Sequence, residues 1–170
     1  MTALTCVFCL VLLTIPGSSQ RDSGNVDVRS AMTEIQKELD ESAEATRAKD
    51  IDRYMQQIPS DVTVQGTEPG KTTSRAQLRQ EVLRQWSIIK DTVLIFNRID
   101  RIDVQGDTAT VWTAQRWERN MYERDGKTLD YVVTTQKHRE AWRKVDGSWK
   151  GYAIQELGGE IFINGKPYHE

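Results

Sequence analysis

The histidine and cysteine content of this chain limits the chemistry it can perform. Its 170 residues contain two histidines and two cysteines. His169 is penultimate, where chains are commonly frayed, so His138 is the imidazole available within a domain. Cys6 and Cys9 both lie in the apolar N-terminal stretch. Sites that need several His or Cys ligands, and Cys–His nucleophilic pairs, are therefore excluded, and we predict no metal site and no cofactor.

Asp61 is the candidate acid–base carboxylate, and Glu140 is a candidate partner of the internal histidine. Asp61 precedes a short strand pattern and would serve as the catalytic base if burial raised the pKa of its carboxyl. The alternative is that Asp61 caps the turn before that strand. Glu140 is two residues from His138, so both share one face of a strand and could form an oriented pair. Arg139, a candidate pocket residue, lies between them and faces the opposite way, so this pair is predicted to point outward, which favours a role at the surface or in a dimer interface.

The N-terminus has the pattern of an export signal. Residues 4–15 form an apolar run of about a dozen residues, whereas a membrane-spanning helix needs roughly 20. Small residues follow, and Gly17 and Ser19 suit a signal-peptidase site. We predict a signal peptide over 1–19, a polar leader over 20–26 and a secreted or periplasmic protein. An uncleaved anchor or a buried N-terminal element is the alternative.

The charge balance argues against nucleic-acid and membrane partners. Lys and Arg total 23 against 25 Asp and Glu, a formal net charge of -2. Nucleic acids and anionic membranes normally attract a basic excess, which this chain lacks. We therefore expect no nucleic-acid partner, and no membrane contact after signal cleavage.

Periodicity predicts three helices followed by a sheet. Apolar residues at three- and four-residue steps predict a helix over 27–49, and Asp50 can cap a second, short helix. A brief strand over 62–65 and a loop over 66–73 follow. Ser74 and Gln77 form a capping box that starts a third helix.

Four long strands are predicted after Lys90. Turn signals at 105–107, 124–127 and 146–147 separate them, and a phase change near Asp100 and Arg101 indicates a β-bulge. Local hairpins make the sheet antiparallel, so the class is α+β, with a bent antiparallel sheet wrapped around the three N-terminal helices. Residues 27–157 form this domain, and 158–170 form a C-terminal extension that suits a small hairpin.

Four segments resemble the nuclear transport factor 2-like superfamily of cone-shaped domains, and particularly its SnoaL-like and ketosteroid-isomerase-like branches. The segments are residues 48–52, 61–64, 106–111 and 142–150. The resemblance covers about 27–157 and implies a conical pocket open at one end and homodimers formed through the sheet. Members include isomerases, polyketide cyclases, dehydratases and non-catalytic binding domains. Related sequences often carry histidine on the last strand, where this chain has Ala153 and Gln155.

Strand alternation selects the residues predicted to line the pocket. It places alternate residues of the second and fourth long strands on the concave face, and we add one residue of the third strand and two helical aromatics. The predicted lining is Tyr54, Trp86, Gln115, Trp117, Arg139 and Gln155. The alternatives are that the glutamines satisfy buried backbone, that the arginine extends to solvent, and that the helical aromatics pack in the core.

These features predict an exported domain that binds a small molecule, either apolar or containing a carbonyl group, in a largely apolar pocket. If it is an enzyme, its chemistry would be that of a cofactor-free isomerase, cyclase or hydrolase. Whether it is an enzyme stays open. The alternative function is a non-catalytic interaction or dimerisation module whose sheet face, bearing His138 and Trp142, docks a partner or a second copy.

Overall fold

The computed structural model describes residues 28–60, 63–65 and 72–168, without the side chains of 63–65, 72 and 73. The predicted signal peptide, the polar leader and the candidate base Asp61 lie outside the described residues. Within the described part of the chain, no helix combines the length and apolar character needed to cross a membrane.

Three helices precede a large antiparallel sheet, as the sequence predicts. The helices are α1 (Val28–Ala48), α2 (Ile51–Gln56) and α3 (Arg75–Ser87). The strands are β1 (Thr63–Gln65), β2 (Thr72–Ser74), β3 (Ile89–Gln105), β4 (Thr108–Tyr122), β5 (Leu129–Val145), β6 (Ser148–Ile163) and β7 (Lys166–Pro167). β1 and β2 pair with each other, and the remaining strands form one sheet in the order β3-β4-β5-β6-β7. The α+β prediction is confirmed.

The predicted helix caps are present. A carboxylate oxygen of Asp50 accepts a hydrogen bond from the Arg53 N–H at 3.0 Å. At α3, Ser74 Oγ accepts from the Gln77 N–H at 3.2 Å, while Gln77 Oε1 accepts from the Ser74 N–H at 2.8 Å. Such caps satisfy backbone donors that a helix leaves unpaired, each contributing about 0.5–2 kcal/mol. They fix where α2 and α3 begin relative to the sheet.

Bulges bend the long strands around the helices. β3 pairs with β4 with a register shift between Ile99 and Arg101, which confirms the predicted bulge. α1 lies against β3, which is an edge strand. The Gln36 side chain on α1 hydrogen-bonds backbone groups of β3 that have no neighbouring strand. Gln36 Nε2 donates to the Asn97 carbonyl at 2.9 Å, and the Ile99 N–H donates to Gln36 Oε1 at 3.3 Å. The bulged sheet thus has a helix-covered inner face and a solvent-facing outer face.

The inner face carries two apolar clusters. The first joins α1 to one end of the sheet and includes Ile35, Val111, Trp142 and Trp149. The second, formed around Val82, Trp86, Ile89, Met121 and Val132, joins α3 to the other end. Along β4 and β5 the residues between these clusters are mostly polar. The interior is therefore a polar belt between two apolar ends.

The sequence misplaced two strand boundaries. Thr72 and Thr73, predicted to lie in a loop, belong to β2. The last long strand does not stop at residue 157 but continues through Gly158 and Gly159 to Ile163, where a hairpin leads to β7. The glycines look like a strand break, but a Cβ at Gly159 would lie 2.2 Å from the Thr135 carbonyl oxygen. Gly159 therefore permits close pairing with β5.

Candidate functional site

The polar belt is built by cross-strand pairs whose side chains point inward. Thr113 on β4 lies opposite His138 on β5, and Gln115 lies opposite Gln136. Glu140 follows His138 on the same face of β5, opposite the fully buried Val111. Directly opposed residues in an antiparallel pair share a face, so these side chains converge under the helices.

The prediction that His138 and Glu140 point outward is wrong. His138 is 2% exposed and Glu140 is 8% exposed, and Trp142, predicted on the same docking face, is also buried. Their neighbours Lys137 and Arg139 occupy the outer face of β5 instead. Long cationic side chains are mostly exposed to solvent, and the exposure of Lys137 and Arg139 accompanies the burial of the residues that alternate with them.

Two donors hold the Glu140 carboxyl in place. The Thr113 hydroxyl donates to Oε1 at 2.7 Å, and the Trp142 indole N–H donates to Oε2 at 3.0 Å. Burial raises the pKa of Glu140 above its ordinary value, and the two hydrogen bonds oppose this effect only in part. A carboxyl in this setting holds its proton to higher pH than an exposed one does. It can then donate a hydrogen bond at a fixed position.

Burial shifts the pKa of His138 in the opposite direction. Burial lowers the pKa of its imidazole to about 4, so the ring is neutral at neutral pH. Residues two apart on one strand are separated by about 7 Å, so His138 and Glu140 are neighbours on the inner face of β5. A neutral imidazole can accept a proton while a protonated carboxyl supplies one.

Tyr54 approaches this pair from α2. Burial raises the pKa of its phenol, and the nearby charge of Glu140 raises it further. Its ring meets Trp86 edge-on, with centroids 5.6 Å apart. Tyr54 therefore packs against the second apolar cluster while lying close enough to Glu140 for the carboxylate charge to act on its phenol.

Comparisons with known proteins agree with this architecture. No family model and no curated protein matches the chain. A candidate scytalone dehydratase from Novosphingobium aromaticivorans superposes with a TM-score of 0.63 at 15% identity, covering 84% of this chain and 90% of that one. A ketosteroid isomerase-like protein from Erwinia carotovora atroseptica superposes with a TM-score of 0.55 at 15% identity, covering 75% and 96%. This chain has the nuclear transport factor 2-like fold. At such low identity, the likeness concerns the fold alone.

Four predicted pocket residues lie on the inner side of the nuclear transport factor 2-like cone. Tyr54, Trp86 and Trp117 pack in or against the second apolar cluster, and Gln115 lies in the polar belt. The Trp117 indole N–H donates to the Thr92 hydroxyl at 3.2 Å. These residues therefore surround the interior from both the helices and the sheet.

Arg139 and Gln155 lie on the outer face of the cone, so the prediction that they line the pocket is wrong. They are directly opposed across β5 and β6, and the Arg139 guanidinium lies 5.8 Å from the centre of the Trp112 ring. The register shift between Ala141 and Trp142 inverts the alternation of β6. Strict alternation counted from Trp149 fails beyond that bulge.

The described residues contain two further features relevant to a site. A shallow surface depression lies on the exposed side of α3 and is lined by Ala76, Gln77, Gln80, Glu81 and Arg84. It does not coincide with the interior pocket that the sequence predicts. Within the same described ranges, no group of three or more His, Cys, Asp or Glu side chains is placed to hold a metal ion.

Proposed function

We propose that this domain binds a small, largely apolar carbonyl compound inside the cone and moves a proton at the carbon beside its carbonyl group. The observation that carries the proposal is the buried Glu140 carboxyl, held by Thr113 and Trp142 beside the neutral imidazole of His138. A buried acid and a neutral base on one strand face suit enolisation, which needs both a proton acceptor and a donor.

The roles follow from the two protonation states. His138 accepts the proton from the carbon, and protonated Glu140 donates a hydrogen bond to the carbonyl oxygen as negative charge develops there. Charge stabilisation of this kind is strong in a site from which water is excluded. If the proton held by His138 is replaced by one from solvent before the carbon is reprotonated, the result is hydrogen exchange; delivery of the proton to another atom gives isomerisation or prepares an elimination. No cofactor is needed for any of these steps.

The two apolar clusters favour an apolar substrate. Tyr54, Trp86 and Trp117 offer aromatic surface at one end of the polar belt, while hydrogen-bonding groups lie in the belt itself. Ligand sites commonly combine apolar walls with a few placed polar groups. The scytalone dehydratase and ketosteroid isomerase-like names of two fold neighbours support proton-transfer chemistry on carbonyl compounds for this chain as well.

A test uses acetophenone as a simple apolar ketone. We expect it to raise the melting temperature of the protein saturably, because a ligand that binds only the folded state stabilises it. Differential scanning fluorimetry over a concentration series measures the shift, with ethylbenzene as the matched compound without a carbonyl group. An absent or non-saturating shift contradicts the proposal.

A second candidate function is self-association through the outer face of the sheet. Phe96 and Tyr131 are 44% and 36% exposed there, and Trp112 lies beside Arg101, whose guanidinium is 4.3 Å from the ring centre. We propose a homodimer through this face. His138 and Trp142, which the sequence assigned to a docking face, are buried and take no part. An interaction module would sediment as a stable dimer and show no ketone-dependent shift, whereas the enzyme shows the shift whether or not it dimerises.

We also propose that the chain is exported, with cleavage near Gln20. The support is the short apolar run over 4–15 followed by small residues. Expression of the full chain with its own N-terminus should yield a product outside the cytoplasm that begins near Gln20. Intact-mass spectrometry of cell fractions measures this, and a full-length product confined to the cytoplasm contradicts export.

A further inference from the structure

We infer that Gln115 selects ligands that carry a hydrogen-bond donor, such as a hydroxyl group, because its side-chain carbonyl oxygen faces the interior as an acceptor. The inference deepens the proposed function and rests on it. It follows from a hydrogen-bonded series of three residues, Gln36, Asn97 and Gln115, which begins on α1. The contacts of each residue fix the orientation of the next.

The chain begins where α1 holds the edge of β3. Gln36 bonds both the Asn97 carbonyl and the Ile99 N–H, so its amide replaces the missing strand neighbour at this edge. The Gln36 side chain makes another hydrogen bond, from Nε2 to Asp40 Oδ1 at 2.9 Å, which fixes the orientation of its amide group. The backbone at Asn97 is thereby held against the helix.

The helix also sets the orientation of the Asn97 side chain. Asn97 Nδ2 donates to the Leu39 carbonyl oxygen at 3.4 Å. If the Asn97 amide were flipped, Oδ1 would face the Leu39 carbonyl oxygen. Two acceptors would then face each other without a hydrogen between them, which is unfavourable. Oδ1 of Asn97 therefore points into the cone, toward β4.

Gln115 completes the chain. Its Nε2 donates to Asn97 Oδ1 at 2.9 Å, so the other amide atom, Oε1, is directed away from Asn97. Among the described residues none donates a hydrogen bond to this oxygen, and Gln115 is only half-buried. It lies one inward position along β4 from Thr113, the partner of Glu140. A ligand held between His138 and Glu140 thus meets an acceptor at this position.

An acceptor in a sheltered site discriminates between ligands. A ligand hydroxyl that donates to Oε1 replaces the water it loses, whereas a methoxy group of similar size brings a second acceptor to the same place. We expect about tenfold tighter binding of the hydroxyl compound, since a lost buried hydrogen bond has roughly that effect.

The test compares two probes and two variants. Titration calorimetry with para-hydroxyacetophenone and para-methoxyacetophenone gives the preference of the wild-type protein. Gln115→Leu should reduce that preference to about twofold or less. Gln155→Leu makes the same change on the outer face and should keep the wild-type preference. Gln115→Met provides a second variant of similar volume, and circular dichroism verifies that each variant is folded.

The outcomes separate this inference from the proposed function. Preference for the hydroxyl compound that disappears in both Gln115 variants and persists in Gln155→Leu supports it. Equal binding of the two probes by the wild-type protein, or a preference unaffected by Gln115→Leu, overturns it and leaves the proposed function standing. If neither these probes nor acetophenone binds, the proposed function fails and the inference fails with it.

Discussion

Replacing Glu140 with Gln is expected to slow the catalysed exchange of the α-hydrogens of acetophenone by about 10²–10⁴-fold, the usual contribution of a positioned acid–base group. The side-chain amide keeps the shape of the carboxyl and still accepts from the Trp142 indole N–H, which now donates to Oε2 of Glu140. Its N–H is a weaker hydrogen-bond donor than a carboxylic acid O–H, so it stabilises the negative charge that develops on the ketone oxygen less well. The loss should therefore fall on the rate constant and leave ketone binding within a few-fold of wild type.

Nuclear magnetic resonance in heavy water measures this exchange directly. Glu118→Gln is the matched control, because Glu118 lies on the outer face with Arg116 and Tyr131 as partners. It should exchange ketone hydrogens at the wild-type rate. Equal rates for Glu140→Gln and Glu118→Gln would remove Glu140 from the mechanism.

The same variant should change how stability depends on pH. Burial raises the pKa of Glu140 in the folded protein, so the unfolded chain loses this proton at lower pH than the folded one. The contribution of Glu140 to the free energy of unfolding is then complete below its ordinary pKa and is lost as pH rises through the raised pKa. Gln does not titrate, so Glu140→Gln should lack this decline in denaturant titrations across pH.

Local sequence signals were sufficient for the elements and the fold. The capping groups Asp50 and Ser74, the turn glycines and the phase change near Arg101 each act over a few residues, and the structure contains all of them. Their order also carried the resemblance to a cone-shaped domain, which the solved structures bear out. Signals of this kind can be read without knowing which strands become neighbours.

Which side chains of β5 and β6 face inward depends on pairing between strands that are distant in the sequence. The sequence-based prediction of these faces was therefore wrong. Nothing near Gln155 in the sequence announces the bulge opposite Ala141 that turns it outward. For β5 a usable signal existed, because Lys137 and Arg139 alternate with His138 and Glu140 and long cations need solvent. Applying that criterion would have placed the buried acid and imidazole inside the cone.

Replacing Trp149 with Ala should cost about 3–5 kcal/mol of the free energy of unfolding, the range for deleting a large buried aromatic side chain. Trp149 is 1% exposed and packs in the first apolar cluster with Ile35 and Val111. Trp142 belongs to the same cluster, and its indole N–H holds Glu140. The cavity left by Trp149 would thus also loosen a group that fixes the candidate acid.

Trp112→Ala is the control for Trp149→Ala, because it also removes a tryptophan but not a buried one. Trp112 is half-buried on the outer face beside Arg101, so its removal leaves no enclosed cavity, and we expect a loss of roughly 1 kcal/mol. Urea titrations of the two variants give both free energies. Since natural domains are stable by only about 5–15 kcal/mol, Trp149→Ala should unfold at markedly lower urea than Trp112→Ala. Equal midpoints would mean that the helix–sheet cluster around Trp149 does not support the cone, and the rigid placement of Glu140 would need another source.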